Sequence, residues 1–235
     1  MMPATGRSIV VVYTLWERTV RVRFPAPRFM DQEQEIALKQ LEELRKRTGK
    51  PMRLAAEGWG SEWQTLIAII MSARTRDETT IEVCKKLFAK YKTVGALAGA
   101  KENEVAEIIR PVNFYRNKTK NIISACRKLV EQFGDTVPHT LDELVTIPGV
   151  GRKTANVFRA EYGASAIGVD THVSFISQKL GWTAHKDPSK IEKDLEKLFP
   201  QSHWRVVNQI CVRFGKTHTS RREKDGLLEE IKDIL

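Results

Sequence analysis

The chain has 235 residues, 41% of them hydrophobic, and 39 Lys and Arg against 29 Asp and Glu give it a formal net charge of +10. That length supports one large or two small compact domains with a real core, and the basic balance favours a polyanionic partner, either nucleic acid or an anionic membrane surface. No run approaches the roughly 18 apolar residues of a membrane span, and three scattered cysteines (Cys84, Cys126, Cys211) exclude a disulfide framework, follow no metal-ligand spacing and point to a reducing, intracellular setting.

Residues 1–29 read unlike the rest. They hold five arginines, one acid (Glu17), a β-branched run Ile9-Val10-Val11-Val12 and a Pro25-Ala26-Pro27 break. Two readings compete: an Arg-rich organelle-targeting leader, or a stretch ahead of a true start at Met30. The absence of a helical amphipathic period favours the second, so the segment is expected to be disordered or not native to the folded protein. Leaving it out takes four charges from +10 and leaves +6, still basic.

From Gln32 the text is helical. Ile36, Leu38, Leu41 and Leu44 form a stripe that Gly49 to Pro51 ends. Trp63–Ala73 is apolar nearly all round, including the longest apolar stretch, Leu66 to Met71, and predicts a central buried helix. Thr80–Tyr91 is amphipathic, and further helices are expected at Glu102–Ile109, Arg116–Phe133, Leu141–Thr146, Lys153–Tyr162, Thr171–Leu180, Pro188–Phe199, Trp204–Phe214 and Asp225–Leu235. Only residues 1–29 carry a strand pattern, and there is no internal repeat, so the class is all-α.

Chemistry concentrates between Thr140 and Leu180. Thr140-Leu-Asp-Glu143 has capping-box spacing, and the helix it starts is expected to bury Leu141, Leu144 and Val145. It stops at Ile147-Pro148-Gly149-Val150-Gly151, and a second helix begins at once with Arg152-Lys153-Thr154. Two short helices joined by a glycine turn leave unpaired N–H groups at a positive helix end, a site for phosphate without sequence preference. By itself the turn reads equally well as a plain helical hairpin. Lys153 sits in that first turn, where a cation is disfavoured. An amine placed so, beside Arg152 and partly desolvated, is freed to act as a nucleophile; the alternative is a surface lysine on a phosphate. Asp170, in Val169-Asp-Thr-His-Val173, reads as the N-cap of the next helix, a role compatible with one carboxylate oxygen facing a reaction centre. His172 reads as a packed helix residue, with no second His or Cys at metal-ligand spacing.

Ile147-Pro-Gly-Val-Gly-Arg-Lys153-Thr-Ala followed by Val169-Asp-Thr-His-Val173 resembles the signature of the endonuclease III family of helix-hairpin-helix DNA glycosylases, and the likeness extends from about Gln32 to about Gly215. It implies two helical subdomains flanking a DNA-binding cleft: 52–167, including the hairpin at 141–162, and 30–51 joined with 168–235. By the same resemblance Lys153 matches the Schiff-base lysine and Asp170 the catalytic aspartate. Pro148, Gly149, Val150, Gly151, Arg152 and Thr154 match the phosphate-gripping hairpin. Ser72–Asp77, with Arg74 and Asp77, matches a segment that approaches the gap left by a flipped base, and Val112–Lys118 matches a loop whose tip, Phe114, wedges into the DNA stack. Arg74 stands where many members have glutamine, which puts the substrate preference in question.

The four cysteines that commonly hold an iron–sulfur cluster in that family have no counterpart in Gly215–Arg222. A cluster-free member is therefore expected, with no metal and no other cofactor, its basic C-terminal segment contacting DNA instead. The implied activity is that of a monomeric base-excision glycosylase with AP lyase activity on oxidised pyrimidines in double-stranded DNA, or on abasic sites, located with the genomic DNA in cytoplasm, nucleoid or nucleus. The alternatives are a uracil or T·G mismatch glycosylase, an abasic-site lyase, and a DNA-binding module without catalysis.

Overall fold

The computed structural model describes residues 9–15, 18–24, 31–49 and 52–234. The only strands among them are β1 (Ile9–Leu15) and β2 (Arg18–Phe24), paired antiparallel from Ile9 with Phe24 to Leu15 with Arg18. The Pro25-Ala26-Pro27 break, Met30 and Pro51 lie outside the described residues.

The body is all-α. In chain order it comprises α1 (Gln32–Lys46), α2 (Glu62–Ser72), α3 (Asp77–Lys90), α4 (Val94–Ala98), α5 (Glu102–Ile109), α6 (Tyr115–Phe133), α7 (Leu141–Leu144), α8 (Arg152–Glu161), α9 (Thr171–Leu180), α10 (Pro188–Leu198), a 3₁₀ turn (Gln201–His203), α11 (Trp204–Thr217) and α12 (Arg221–Lys232). Local signals fix many of the starts. Asp31, Thr93, Thr140, Asp170, Asp187 and Ser220 each cap a helix with a side-chain oxygen, satisfying N–H groups that the helix leaves unpaired.

Some expectations needed correction. α3 begins at Asp77 rather than Thr80, and α12 at Arg221 rather than Asp225. α7 stops at Leu144, and Val145, expected inside, is 43% exposed. The α4 turn was not anticipated; Val94 and Leu97 bury it and Thr93 caps it.

Two apolar cores organise the body. One is built around α2, whose residues from Leu66 to Met71 are all buried, and takes in α3 to α8. The other joins Ala37, Leu41 and Leu44 of α1 to α9, α10, α11 and α12. The chain thus leaves the second core after α1 and returns to it at Ile167. α8 closes the first core through Ala155 and Phe158, while its N-terminal turn faces the boundary between the two.

Candidate active site

The boundary opens into a cleft of about 630 Å³ whose walls bring together Lys153, Asp170, Arg74 and Asp77. Lys153 lies half-buried in the first turn of α8. Asp170 caps α9: one carboxylate oxygen accepts from the N–H groups of His172 and Val173, each at 2.9 Å. Its other oxygen takes no hydrogen bond among the described residues, and the residue lines the cleft.

The approach to Asp170 is held from both sides. Asn156 of α8 donates its side-chain N–H to the Ile167 carbonyl at 3.1 Å, and Asn208 of α11 donates to the Gly168 carbonyl at 2.6 Å. Gly168 passes so close to α8 that a Cβ there would sit 2.5 Å from a Val157 methyl carbon. Sequence reasoning passed over both asparagines. Their one signal was position: asparagine is a weak helix former, so two within helix interiors invite a non-helical role. Replacing Asn208 with Leu strands a buried carbonyl, which costs about 1–3 kcal/mol; thermal unfolding of Asn208→Leu should show a Tm several degrees lower, and an unchanged Tm would remove this strut from the account.

The hairpin turn is compact. Val150 N–H donates to the Ile147 carbonyl at 3.0 Å, and Gly149 has φ +82°, a conformation that side chains resist. A Cβ on Gly149 would also press Asn121 and Ile70 at 3.1 and 3.2 Å. Gly151 is the N-cap of α8, exposed and without a side-chain cap, so the first amides of α8 stay open. Of the turn's other members, Val150 and Thr154 are buried and Pro148 is half-buried; Arg152 is exposed, and its guanidinium makes two 2.8 Å hydrogen bonds to Glu192 of α10, a residue 5% exposed. The Arg152 pair ties the hairpin to α10 of the second core, and the Lys216–Asp77 and Arg213–Glu57 ion pairs link α11 to the start of α3 and the segment before α2. Asp77 is buried and engaged by Lys216.

Arg74 and Phe114 meet. Both have left-handed backbone, φ +57° and +59°, and the Arg74 guanidinium lies 5.4 Å from the centre of the Phe114 ring. Phe114 is 59% exposed beside the cleft. Lys118, the last residue of the segment matched to the wedge loop, lies in the first turn of α6, inside the helix expected from Arg116, with its side chain buried, and burial pulls its amine down to about 8. His172 packs as expected: a Cβ on Gly215 would fall 2.1 Å from its ring nitrogen, and burial holds the imidazole below its ordinary value against the opposing pull of Asp170.

Cys84, Cys126 and Cys211 are buried in α3, α6 and α11, and burial raises all three thiols. Among the described residues no group of three or more His, Cys, Asp or Glu is placed to hold a metal, and these thiols do not fit a four-cysteine iron–sulfur cluster. Where such a cluster would follow α11, His218 reaches Glu223 at 2.7 Å and the Arg47 carbonyl at 2.9 Å, and Arg221 lies over Phe175. His218 is thus turned onto the body, while Arg221 and Arg222 stay exposed.

Paired helical cores, a glycine hairpin and a lysine–aspartate cleft at their junction define a helix-hairpin-helix repair protein: residues 67–201 match the HhH-GPD superfamily base excision DNA repair protein family. The chain is 49% identical over 162 residues to endonuclease III of Synechocystis sp., covering 68% of this chain and 74% of that protein. It is 43% identical over 155 residues to endonuclease III of Thermotoga maritima, covering 66% and 73%. A solved structure of a trapped endonuclease III–DNA covalent intermediate superposes with a TM-score of 0.73 at 34% identity, covering 82% of this chain and 90% of that one. The chain belongs to the endonuclease III family.

Proposed function

We propose that the chain is a base-excision-repair DNA glycosylase with AP lyase activity on oxidised pyrimidines in double-stranded DNA, with Lys153 as nucleophile and Asp170 as the essential carboxylate. One observation carries the reading: the lysine and the aspartate line a single cleft, and the open amides that suit a DNA phosphate begin the same helix that bears the lysine.

A base inside a duplex is out of reach, so it must rotate out, at a cost of a few kcal/mol that is least for a damaged base. Phe114 and Arg74 are suited to fill the vacated space. The Lys153 amine attacks the sugar C1′; the bond from C1′ to the base breaks, and the base takes a proton and leaves. Opening of the sugar ring gives an iminium between the lysine nitrogen and C1′. That cation acidifies the C2′ proton; its removal expels the 3′ phosphate and nicks the strand, and water then frees the lysine. Asp170 stabilises positive charge growing on the sugar or takes the proton from the attacking amine. These steps transfer no electrons to an acceptor, and we propose that the chain carries them out without an iron–sulfur cluster.

The chain acts on DNA, and among the described residues no helix is long and apolar enough to cross a membrane. Borohydride reduces an iminium to a stable amine, so it should trap the protein covalently on duplexes bearing thymine glycol, dihydrouracil or an abasic site. A parallel panel with uracil and 8-oxoguanine, scored for base release and nicking, ranks the substrates. Base release without an adduct would leave a monofunctional glycosylase, and binding without either would leave a DNA-binding module.

A further inference from the structure

We infer that Lys118 and Asn113 are positioning residues that hold Arg74 and Phe114 as one preassembled unit, an aromatic wedge backed by a cation. The inference rests on the proposed role of that pair in filling the space of the extruded base.

Two non-glycine residues with left-handed backbone meet at the edge of the cleft. L side chains disfavour that conformation, and it persists where the surroundings over-determine it. Here the surroundings can be named. The Lys118 amine donates to the Met71 carbonyl at 2.7 Å, to the Ala73 carbonyl at 2.5 Å and to the Thr75 hydroxyl at 3.3 Å. These acceptors lie at and just beyond the C-terminal end of α2, where unpaired carbonyls and the helix dipole favour a cation. Lys118 is 6% exposed and makes no ion pair with a carboxylate among the described residues, so carbonyl dipoles and a hydroxyl serve its charge.

The same residue anchors the other loop, since its backbone N–H donates to the Phe114 carbonyl at 3.0 Å. Asn113 completes the link. Its side-chain N–H donates to the Arg74 carbonyl, and its backbone N–H donates to the Thr75 hydroxyl at 3.1 Å. The turn after α2 and the turn before α6 are thereby joined on both sides of the Arg74–Phe114 contact. Ordering both side chains in advance spares the complex that cost on binding. It also presents a planar fork of donors at a fixed place against the base left without a partner.

The test compares one reaction on two substrates. Duplex DNA with an abasic site needs a wedge to stay distorted; single-stranded abasic DNA has no stack to fill. In Lys118→Met, which keeps a long unbranched stem and removes the donors, the ratio of duplex to single-strand lyase kcat/KM should fall by about 10- to 100-fold, the scale on which small misplacements act. Asn113→Ala, at an exposed position, should move the ratio in the same direction if Lys118→Met folds poorly. 2-Aminopurine placed opposite the lesion reports the same event, its fluorescence in the complex shifting in both variants. Equal losses on both substrates, or no loss on the duplex, would overturn the inference. Phe114→Ala and Arg74→Ala serve as the control on the underlying reading: if neither lowers the ratio, the wedge role falls and the clamp falls with it; if they lower it and Lys118→Met and Asn113→Ala do not, only the clamp is wrong.

Discussion

Lys153→Gln should bind damaged duplex within about tenfold of the parent chain, because one partly solvated ion pair carries about 1 kcal/mol or less, yet give no borohydride-trapped adduct. Glutamine keeps a polar side chain at the cleft wall but has no basic nitrogen with which to form an iminium. Base release and nicking lose the covalent route together and should fall by on the order of 10⁴-fold or more, the scale of nucleophile deletions elsewhere. The buried core beneath the site, Ala155 and Phe158, is untouched, so the Tm should hold. Gel-shift affinity, trapping and single-turnover nicking on one abasic duplex check all three points. An adduct surviving in the variant would assign the chemistry to another amine.

Asp170→Asn should fold and bind DNA but turn over about 10²- to 10⁴-fold more slowly, the range for a positioned acid–base or electrostatic group. The stability effects of two substitutions separate the residue's two roles. Asparagine caps helices about as well as aspartate, so the contacts to the His172 and Val173 N–H groups survive, each formed at 2.9 Å in the parent. What disappears is the negative charge of a carboxylate that lines the cleft. Asp170→Ala loses cap and charge alike and should in addition cost about 0.5–2 kcal/mol of stability. Thermal melts beside single-turnover rates separate the two; Asp170→Asn with parental turnover would reduce the residue to a cap.

The parts of the site legible in sequence were those written in neighbouring residues. The Thr140 cap, the glycine turn, the start of α8 and the Asp170 cap are all set within a few positions, and so is the apolar face that each helix buries. One local signal was overlooked: Ser220 and Glu223 have the same capping spacing as Thr140 and Glu143, and the Glu223 N–H donates to the Ser220 hydroxyl at 3.4 Å, which is why α12 starts earlier than its apolar period suggests. The α4 turn was hidden differently. Five residues with a glycine carry little periodicity, and burial rather than propensity makes them helical.

Arg152 and Lys118 mark the other limit. The resemblance places both in segments that contact DNA, Arg152 in the hairpin and Lys118 at the end of the wedge segment. Only the packed chain shows that Glu192, 40 residues away, takes the Arg152 guanidinium, and that the end of α2 takes the Lys118 amine, across 45 and 47 residues. The sequence by itself determined the helices, the hairpin and the lysine and aspartate at their starts, because capping, periodicity and turn geometry act over one or two turns of chain. Tertiary structure decided which charges find partners within the protein, because an ion pair or a buried amine depends on distances through space that residue spacing does not encode.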